Sequence, residues 1–221
     1  IYLVVKAKDI FKLPNDLPFE YGAFTEPLAC VVNSMEQAQV KLGNDVVVIG
    51  AGIMGLLHVM VSKLRGARVI VSEPDAERRE KAKEAGADIV FNPMEENFVE
   101  KVKSLTEGRG ADVIFNTTAI AKLAEEAVQG LGKTGRVVMY SSIHPDEPIS
   151  VSPNWIHNTQ VVITGAVSPS VEAFFVSSIL LSKGLIVPDK LISGKFPLNE
   201  AQQAFEEAIK PDTFRIVVTN E

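Results

Sequence analysis

Cysteine is almost absent: Cys30 is the single one in 221 residues. One thiol excludes an intramolecular disulfide framework and any multi-cysteine zinc knot within the chain. It is compatible with a reducing, cytoplasmic setting. Histidine is scarce too. His58, His144 and His157 show no ligand spacing, and no His-Glu-x-x-His occurs. His58 reads as a satisfied core or surface residue, and a proton-relay role for His144 or His157 has no motif behind it. There is no Gly-x-Ser-x-Gly nucleophile elbow. No Lys/Arg cluster interrupts a net charge of −6, which argues against a nucleic-acid surface. Charge of this sign keeps a protein soluble. The longest uncharged apolar stretch, Val46 to Ser62, holds the glycines of a turn and stops at Lys63. That is short of the ~20 residues a bilayer span needs, so no membrane partner is expected. Ile1-Tyr2-Leu3-Val4-Val5, with Lys6 and Lys8 following, lacks the basic start and long apolar core of a signal peptide. The chain opens on Ile1, not Met, and in a strand-like run. The expectation is a segment of a longer protein. No internal repeat or low-complexity tract appears.

What is present is ordinary globular material, 46% hydrophobic and 23% charged, enough for one large domain or one and a half. It is organised around Val46-Val47-Val48-Ile49-Gly50-Ala51-Gly52-Ile53-Met54-Gly55. Four β-branched residues run into Gly-x-Gly-x-x-Gly. An apolar helical stretch, Leu56 to Leu64, follows. Arg68 to Ser72 reads as a second strand, closed by Glu73, 23 residues after Gly50. Strand, tight turn, helix, strand and acid, in that order, are what a dinucleotide needs. Gly50 allows the sharp turn, Gly52 leaves no Cβ between backbone and pyrophosphate, and Gly55 lets the helix approach the sheet. The helix N-terminus then faces the phosphates. Glu73 is placed to accept hydrogen bonds from an adenosine ribose; the alternative is a solvated strand-end acid.

Before this core, Leu13 to Pro18 carries two prolines in five residues, which excludes a helix or central strand there. Thr25 is expected to cap a helix that Ala29 to Gln39 continues, ended by Gly43-Asn44. After Ser72 come a charged helix (75–85), a short strand (88–91), a helix (95–107), a strand (112–116) ending in Thr117-Thr118, and a helix (122–131). A strand (136–140), a short helix (155–158) and a sixth strand (161–164) complete the pattern. Six Val/Ile-rich strands separated by helices predict a doubly wound α/β fold with a parallel sheet covered on both faces. Then the rhythm changes: an apolar helix (171–182), a strand (190–196), an amphipathic helix (198–209) and a terminal strand (214–219). These and residues 1–24 look like two ends of a second domain. The expected boundaries are 1–24, 25–170 and 171–221.

Four stretches carry a resemblance. They are Glu26-Pro27-Leu28-Ala29; the coenzyme turn Val48 to Gly55; Arg78 with Lys81 to Asp88; and Phe196 to Ala201 with Ala204-Phe205. Together they resemble the zinc-type medium-chain dehydrogenase family, and most closely its sorbitol (polyol) and threonine dehydrogenase branch. The resemblance covers nearly the whole chain. It implies a Rossmann coenzyme domain, with short flanking segments from an incomplete GroES-like catalytic domain that holds zinc. Zinc there acts as Lewis acid on an alcohol that passes a hydride to the nicotinamide. It implies that the catalytic Cys and His-Glu pair lie upstream, so the catalytic residues are unknown within this chain. Of the zinc site only Glu26 carries over; the other reading of Glu26 is a first-turn acid favoured by the helix dipole. One carboxylate cannot make a zinc site, so the chain as written is not expected to turn over an alcohol. Cys30 reads as a small buried residue.

The expected coenzyme contacts are Gly50, Gly52, Ile53, Met54, Gly55, Glu73, Arg78, Thr117, Thr118, Ser142, Val167 and Ser168. Ligands of such sheets bind beyond the carboxyl ends of the strands. Thr117 and Thr118 would border the adenosine, and Ser142, Val167 and Ser168 would lie toward the nicotinamide; plain loop chemistry is their alternative. The coenzyme is expected to be NAD, because a 2′-phosphate ~4 Å from Glu73 costs about 4 kcal/mol at an effective dielectric near 20. Arg78 and Arg79 are the counter-indication, although Arg78 can instead reach the adenine. The substrate class is a small-molecule alcohol or polyol, and sorbitol, threonine and simple alcohols stay open. The sixth strand leaves an open sheet edge. With the family's habit of pairing there, this predicts a homo-oligomer, a dimer or tetramer. The rival reading is a non-catalytic Rossmann module that senses a nucleotide or mediates assembly.

Overall fold

The run Val46–Ile49 has no polar face to leave in water, and β1 (Asp45–Ile49) is buried along its whole length. It pairs in parallel with β2 (Arg68–Ser72) on one side and β4 (Ala111–Asn116) on the other. With β3 (Ile89–Phe91), β5 (Leu131–Met139) and β6 (Val162–Gly165), these form a six-stranded parallel sheet of order β3-β2-β1-β4-β5-β6. The chain winds outward from β1 to β3, then crosses back to β4. The winding direction therefore reverses between β1 and β4, which defines a topological switch point. This is the Rossmann arrangement expected above.

The protein is described by a computed structural model covering residues 4–7 and 10–220. Ile1 to Leu3 and Lys8 of the opening segment lie outside the described residues. The chain divides into two compact units, Asn33–Ser168 and Ile1–Val32 with Pro169–Glu221.

The first of these holds the sheet. One of its faces packs Val47, Ile49, Ile70, Ile114 and Val137 against Phe98 and Val102 of α5 (Phe98–Leu105) and Ala127 and Val128 of α6 (Ala121–Gln129). Val46 and Val48 on the other face are equally inaccessible. The helices α3 (Ile53–Leu64), α4 (Ala76–Glu84) and α7 (Pro153–Thr159) complete this unit. At the amino-terminal edge of the sheet, Asp45 accepts from Arg68 Nε at 2.6 Å and from Arg109 Nη2 at 2.8 Å. Arg68 also reaches the Leu105 carbonyl, at 2.6 Å, so one carboxylate ties β1 to β2 and to the loop before β4.

The other unit holds α1 (Phe19–Gly22), α8 (Val171–Ser182), β7 (Ile192–Pro197), α9 (Ala201–Ala208) and β8 (Arg215–Thr219). β7 and β8 pair in parallel, with α9 as their crossover. Phe11 stacks on Phe174 at 5.4 Å, and Lys195 pairs with Glu20 at 2.5 Å. The division between the units falls within α2 (Thr25–Ala38).

Several boundaries differ from expectation, each for a local reason. Thr25 does not cap α2: its hydroxyl donates backward to the Gly22 carbonyl at 2.7 Å. α2 stops at Ala38 because Gln39 enters the left-handed region at φ 54°. α5 starts at Phe98, not Glu95, because the Asn97 side chain accepts from the Glu100 amide and caps it. Leu131 is not the end of a helix but the first residue of β5, paired with Ala111. A register shift follows, and exposed Lys133 and left-handed Thr134 interrupt the apolar pattern there. Lys190 and Leu191 belong to a 3-10 turn ahead of β7. No described helix is long and apolar enough to cross a membrane.

Candidate functional site

The carboxyl end of β1 runs directly into the glycine turn, and the three glycines are required for different reasons. Gly50 sits at φ +95°, a backbone that L side chains rarely adopt. Its amide donates to the Ser72 carbonyl at 2.9 Å. A Cβ at Gly55 would stand 2.0 Å from the Gly50 carbonyl oxygen, so no side chain fits. Gly52 has ordinary extended geometry, and a Cβ there would meet nothing nearer than Arg78 Nη1 at 3.9 Å. Only the end of this one flexible side chain borders Gly52. Helix geometry leaves the first-turn amides of α3, those of Ile53, Met54 and Gly55, without intrahelical acceptors. Gly52 offers no side-chain cap, and the first turn holds no acid. By contrast α4, α5, α7 and α8 are capped by Asp75, Asn97, Ser152 and Ser170. The positive end of α3 thus faces the switch point without a capping side chain of its own, with room for an anionic group.

Glu73 is not a solvated strand-end acid. It is 6% exposed, and its carboxylate turns toward the glycine turn. Oε2 accepts from the Ala51 amide at 2.7 Å, and Oε1 accepts from the Asp75 amide at 3.0 Å. Each carboxylate oxygen has a second lone pair. Asp75 in turn accepts from the Arg78 amide at 2.8 Å. Arg79 Nη1 donates to the carbonyls of Glu73 and Pro74, at 2.9 and 2.7 Å, which tethers that nitrogen to the backbone.

Across the switch point, Thr117 donates from both its amide and its hydroxyl to the Ile49 carbonyl, at 3.1 and 2.7 Å. Its Oγ1 lies 2.9 Å from where a Cβ on Gly50 would stand, and Thr118 Cγ2 lies 3.1 Å from that point. Gly50, Gly55, Thr117 and Thr118 are therefore one packed group. Asn116, a residue the sequence reading passed over, organises it: its buried Oδ1 accepts from the Thr118 amide and hydroxyl. A polar residue closing an otherwise apolar strand was the signal.

His58 lies behind the turn and is fully buried. Nδ1 stands 2.7 Å from the Met54 carbonyl and Nε2 2.9 Å from the Ser34 hydroxyl. The ring packs on Phe115 at 4.6 Å and Tyr140 at 4.7 Å. Burial pushes its pKa down to about 4. It is a satisfied core residue.

The remaining expected residues lie farther along the same sheet edge. Strand spacing sets the end of β5 about 10 Å, and that of β6 about 14 Å, from β1. Ser142, past β5, shares a 3.2 Å hydrogen bond with His144. Past β6, Val167 is 87% exposed. The neighbouring Ser168 takes φ 57°, and its carbonyl accepts from Asn33 Nδ2 at 2.8 Å. Glu26 belongs to the other unit. Its Oε1 accepts from the Cys30 thiol at 3.2 Å. Cys30 is half-buried rather than buried, and burial, with the Glu26 carboxylate adding to it, pushes the thiol up to about 11. Among the described residues no group of three His, Cys, Asp or Glu side chains can hold a metal ion. The residues here do not by themselves fit zinc; those of the glycine turn fit a diphosphate.

Residues 54–179, more than half the chain, match the family model described as zinc-binding dehydrogenase. The chain is 36% identical over 208 residues to L-threonine 3-dehydrogenase of Pyrococcus horikoshii, covering 93% of this chain and 59% of that protein. A zinc-binding dehydrogenase of Sinorhizobium meliloti 1021 bound to NADP superposes with TM-score 0.88 and 26% identity, over 95% of this chain and 62% of that one. An alcohol dehydrogenase of Escherichia coli CFT073 complexed with NADH gives 0.87 and 29%, over 97% and 64%. The chain spans about three fifths of the length of these relatives.

Proposed function

The chain belongs to the zinc-binding dehydrogenase family, and on that premise we propose that it is the coenzyme-binding portion of an oxidoreductase that transfers a hydride from a secondary alcohol, polyol or threonine-like, to NAD. The observation that carries this is the uncapped start of α3 at the switch point of the sheet, where Gly52 has only the Arg78 guanidinium near it. The pyrophosphate lies over Gly50–Gly55 and takes backbone N–H groups of Ile53 and Met54. Glu73 accepts from ribose hydroxyls with its remaining lone pairs. Arg78 borders the adenine, Thr117 and Thr118 the adenosine, and Ser142, Val167 and Ser168 the nicotinamide. Bound there, NAD supplies the hydride acceptor; the residues of this chain hold and orient it.

Two features favour NAD over NADP. A buried carboxylate stands where a 2′-phosphate would approach, and Arg79 is tethered through Nη1 to two carbonyls. The NADP-bound and NADH-bound relatives differ on this point, so likeness does not decide it. We assign Glu26 to the zinc site of the intact enzyme. Its partner ligands belong to the portion of the relatives that this chain does not match. The chain alone then turns over no alcohol. Subunits pair along β6, one of the two edge strands of the sheet, into a dimer or tetramer.

Fluorescence titration with NADH and NADPH tests the reading. Tighter NADH binding is expected. Tighter NADPH binding overturns the choice of coenzyme. Binding of neither leaves the rival, a non-catalytic assembly module. A panel of alcohols and polyols on the full-length protein, with zinc and NAD, identifies the substrate. Light scattering checks the pairing, and a clean monomer at high concentration refutes it.

A further inference from the structure

A negative charge beside a diphosphate site is electrostatically unfavourable, because like charges repel and a partly buried site screens them less than water does. Yet Glu73 is buried there, and its two oxygens are aimed at two backbone amides 24 residues apart, those of Ala51 and Asp75. We infer that Glu73 is a positioning residue that clamps the glycine turn in its anion-accepting form, in addition to any contact with a ribose. The inference rests on the dinucleotide reading of the site.

The need for a clamp follows from the turn itself. Ala51 lies between Gly50 and Gly52, and glycine has the largest conformational freedom of any residue. No side chain at either glycine fixes the path of the chain. Gly50 is held from one side by the hydrogen bond its amide donates to the Ser72 carbonyl, and the Gly52 carbonyl is held by the first hydrogen bond of α3, from the Leu56 amide. Between them the Ala51 amide has one partner, the Glu73 carboxylate at 2.7 Å. A charge-assisted bond to a buried carboxylate is the strong kind. Its other oxygen, on the Asp75 amide, anchors the clamp to the loop in which Asp75 caps α4. The turn and the β2–α4 loop therefore move as one piece. It follows that replacing Glu73 by a small residue to admit a 2′-phosphate loosens the seat of the diphosphate that both coenzymes share.

The test uses the whole chain, with Glu73→Gln and Glu73→Ala. Glu73→Gln keeps the shape and one amide acceptor, and it carries the test if Glu73→Ala fails to fold. Amide exchange, read without any ligand, is expected to quicken at Ala51 on the order of tenfold or more. Exchange in β4 and β5 is expected to stay unchanged. Inorganic pyrophosphate, which has no ribose, is expected to bind several-fold more weakly to both variants. If Glu73 serves only the ribose, pyrophosphate binds equally well or more tightly, because a negative charge has been removed. Unchanged exchange at Ala51, or undiminished pyrophosphate binding in the variants, overturns the clamp. A wild-type chain that binds neither NADH nor pyrophosphate overturns the site reading instead, and the exchange at Ala51 then decides the clamp by itself.

Discussion

The Met54 carbonyl stands 2.7 Å from Nδ1 of His58, one helical turn on, and this settles which ring nitrogen carries the hydrogen. A carbonyl only accepts, so Nδ1 donates and Nε2 accepts from the Ser34 hydroxyl. The ring is neutral, and its complete burial makes a second proton costly. Its folded pKa, about 4, lies below the ordinary 6.5, so the unfolded chain protonates first on acidification. The stability linked to His58 is therefore complete above pH 6.5 and is lost as pH falls from 6.5 toward 4. The full difference amounts to about 3 kcal/mol. Urea unfolding between pH 7.5 and 4.5 measures it. His58→Gln is expected to flatten that slope, and an unaltered slope rules out His58 as its source.

Gly52 and Gly55 are expected to respond to alanine in opposite ways. Gly55→Ala drives a methyl group into the Gly50 carbonyl, 2.0 Å away, and destabilises the fold by about 3 kcal/mol or more. Gly52→Ala meets only the Arg78 guanidinium, at ordinary contact distance, and a permitted backbone, so stability changes by about 1 kcal/mol or less. That methyl occupies the side from which the diphosphate approaches, and NADH affinity is expected to fall at least about tenfold, the equivalent of 1.4 kcal/mol. Thermal melts paired with NADH titration separate the two variants. A Gly52→Ala chain that is fully stable and binds NADH normally removes Gly52 from the site.

Asp45 offers a test far from the site. Its side chain is 7% exposed, while its partners Arg68 and Arg109 are 43% and 57% exposed. Solvent screens both arginines, so the loss on Asp45→Ala is discounted to about 2 kcal/mol rather than the 3–5 of a fully buried pair. NADH binding at the opposite edge of the sheet is expected to be unchanged at temperatures where the variant is folded. Denaturant melts and binding curves on one preparation check both statements.

The fold was readable where residue type and burial coincide. The β-branched run Val46–Ile49, the strand Arg68–Ser72 and the helix Val171–Ser182 could each be drawn from sequence, because apolar runs between turn signals leave few alternatives. Leu131 was misread because a register shift lets two polar residues interrupt a strand. Within the site, the glycine spacing identified the turn, but the partners of Glu73 are backbone amides. Every residue except proline carries an amide N–H, so no letter of the sequence marks which one a carboxylate will meet. Asn116 escaped notice for a related reason: its side chain serves the residues just after it, within the strand end.

The order in which the strands lie also bears on when the site comes into being. Val46 pairs with Val69 on one side and with Val113 on the other. Closing the second contact joins a loop roughly three times longer, at an extra entropic cost of about 1 kcal/mol. Contacts between near neighbours in sequence form more readily. The crevice between β1 and β4 is thus expected to close after β1, α3 and β2 have assembled, and a coenzyme finds nothing to hold until then. NADH should leave the refolding rate unchanged and slow unfolding, since its contacts are absent from the transition state. Stopped-flow measurements with and without NADH read this directly. Faster refolding in its presence would mean that the crevice is an early structure, and that the nucleotide helps to fold the protein as well as to occupy it.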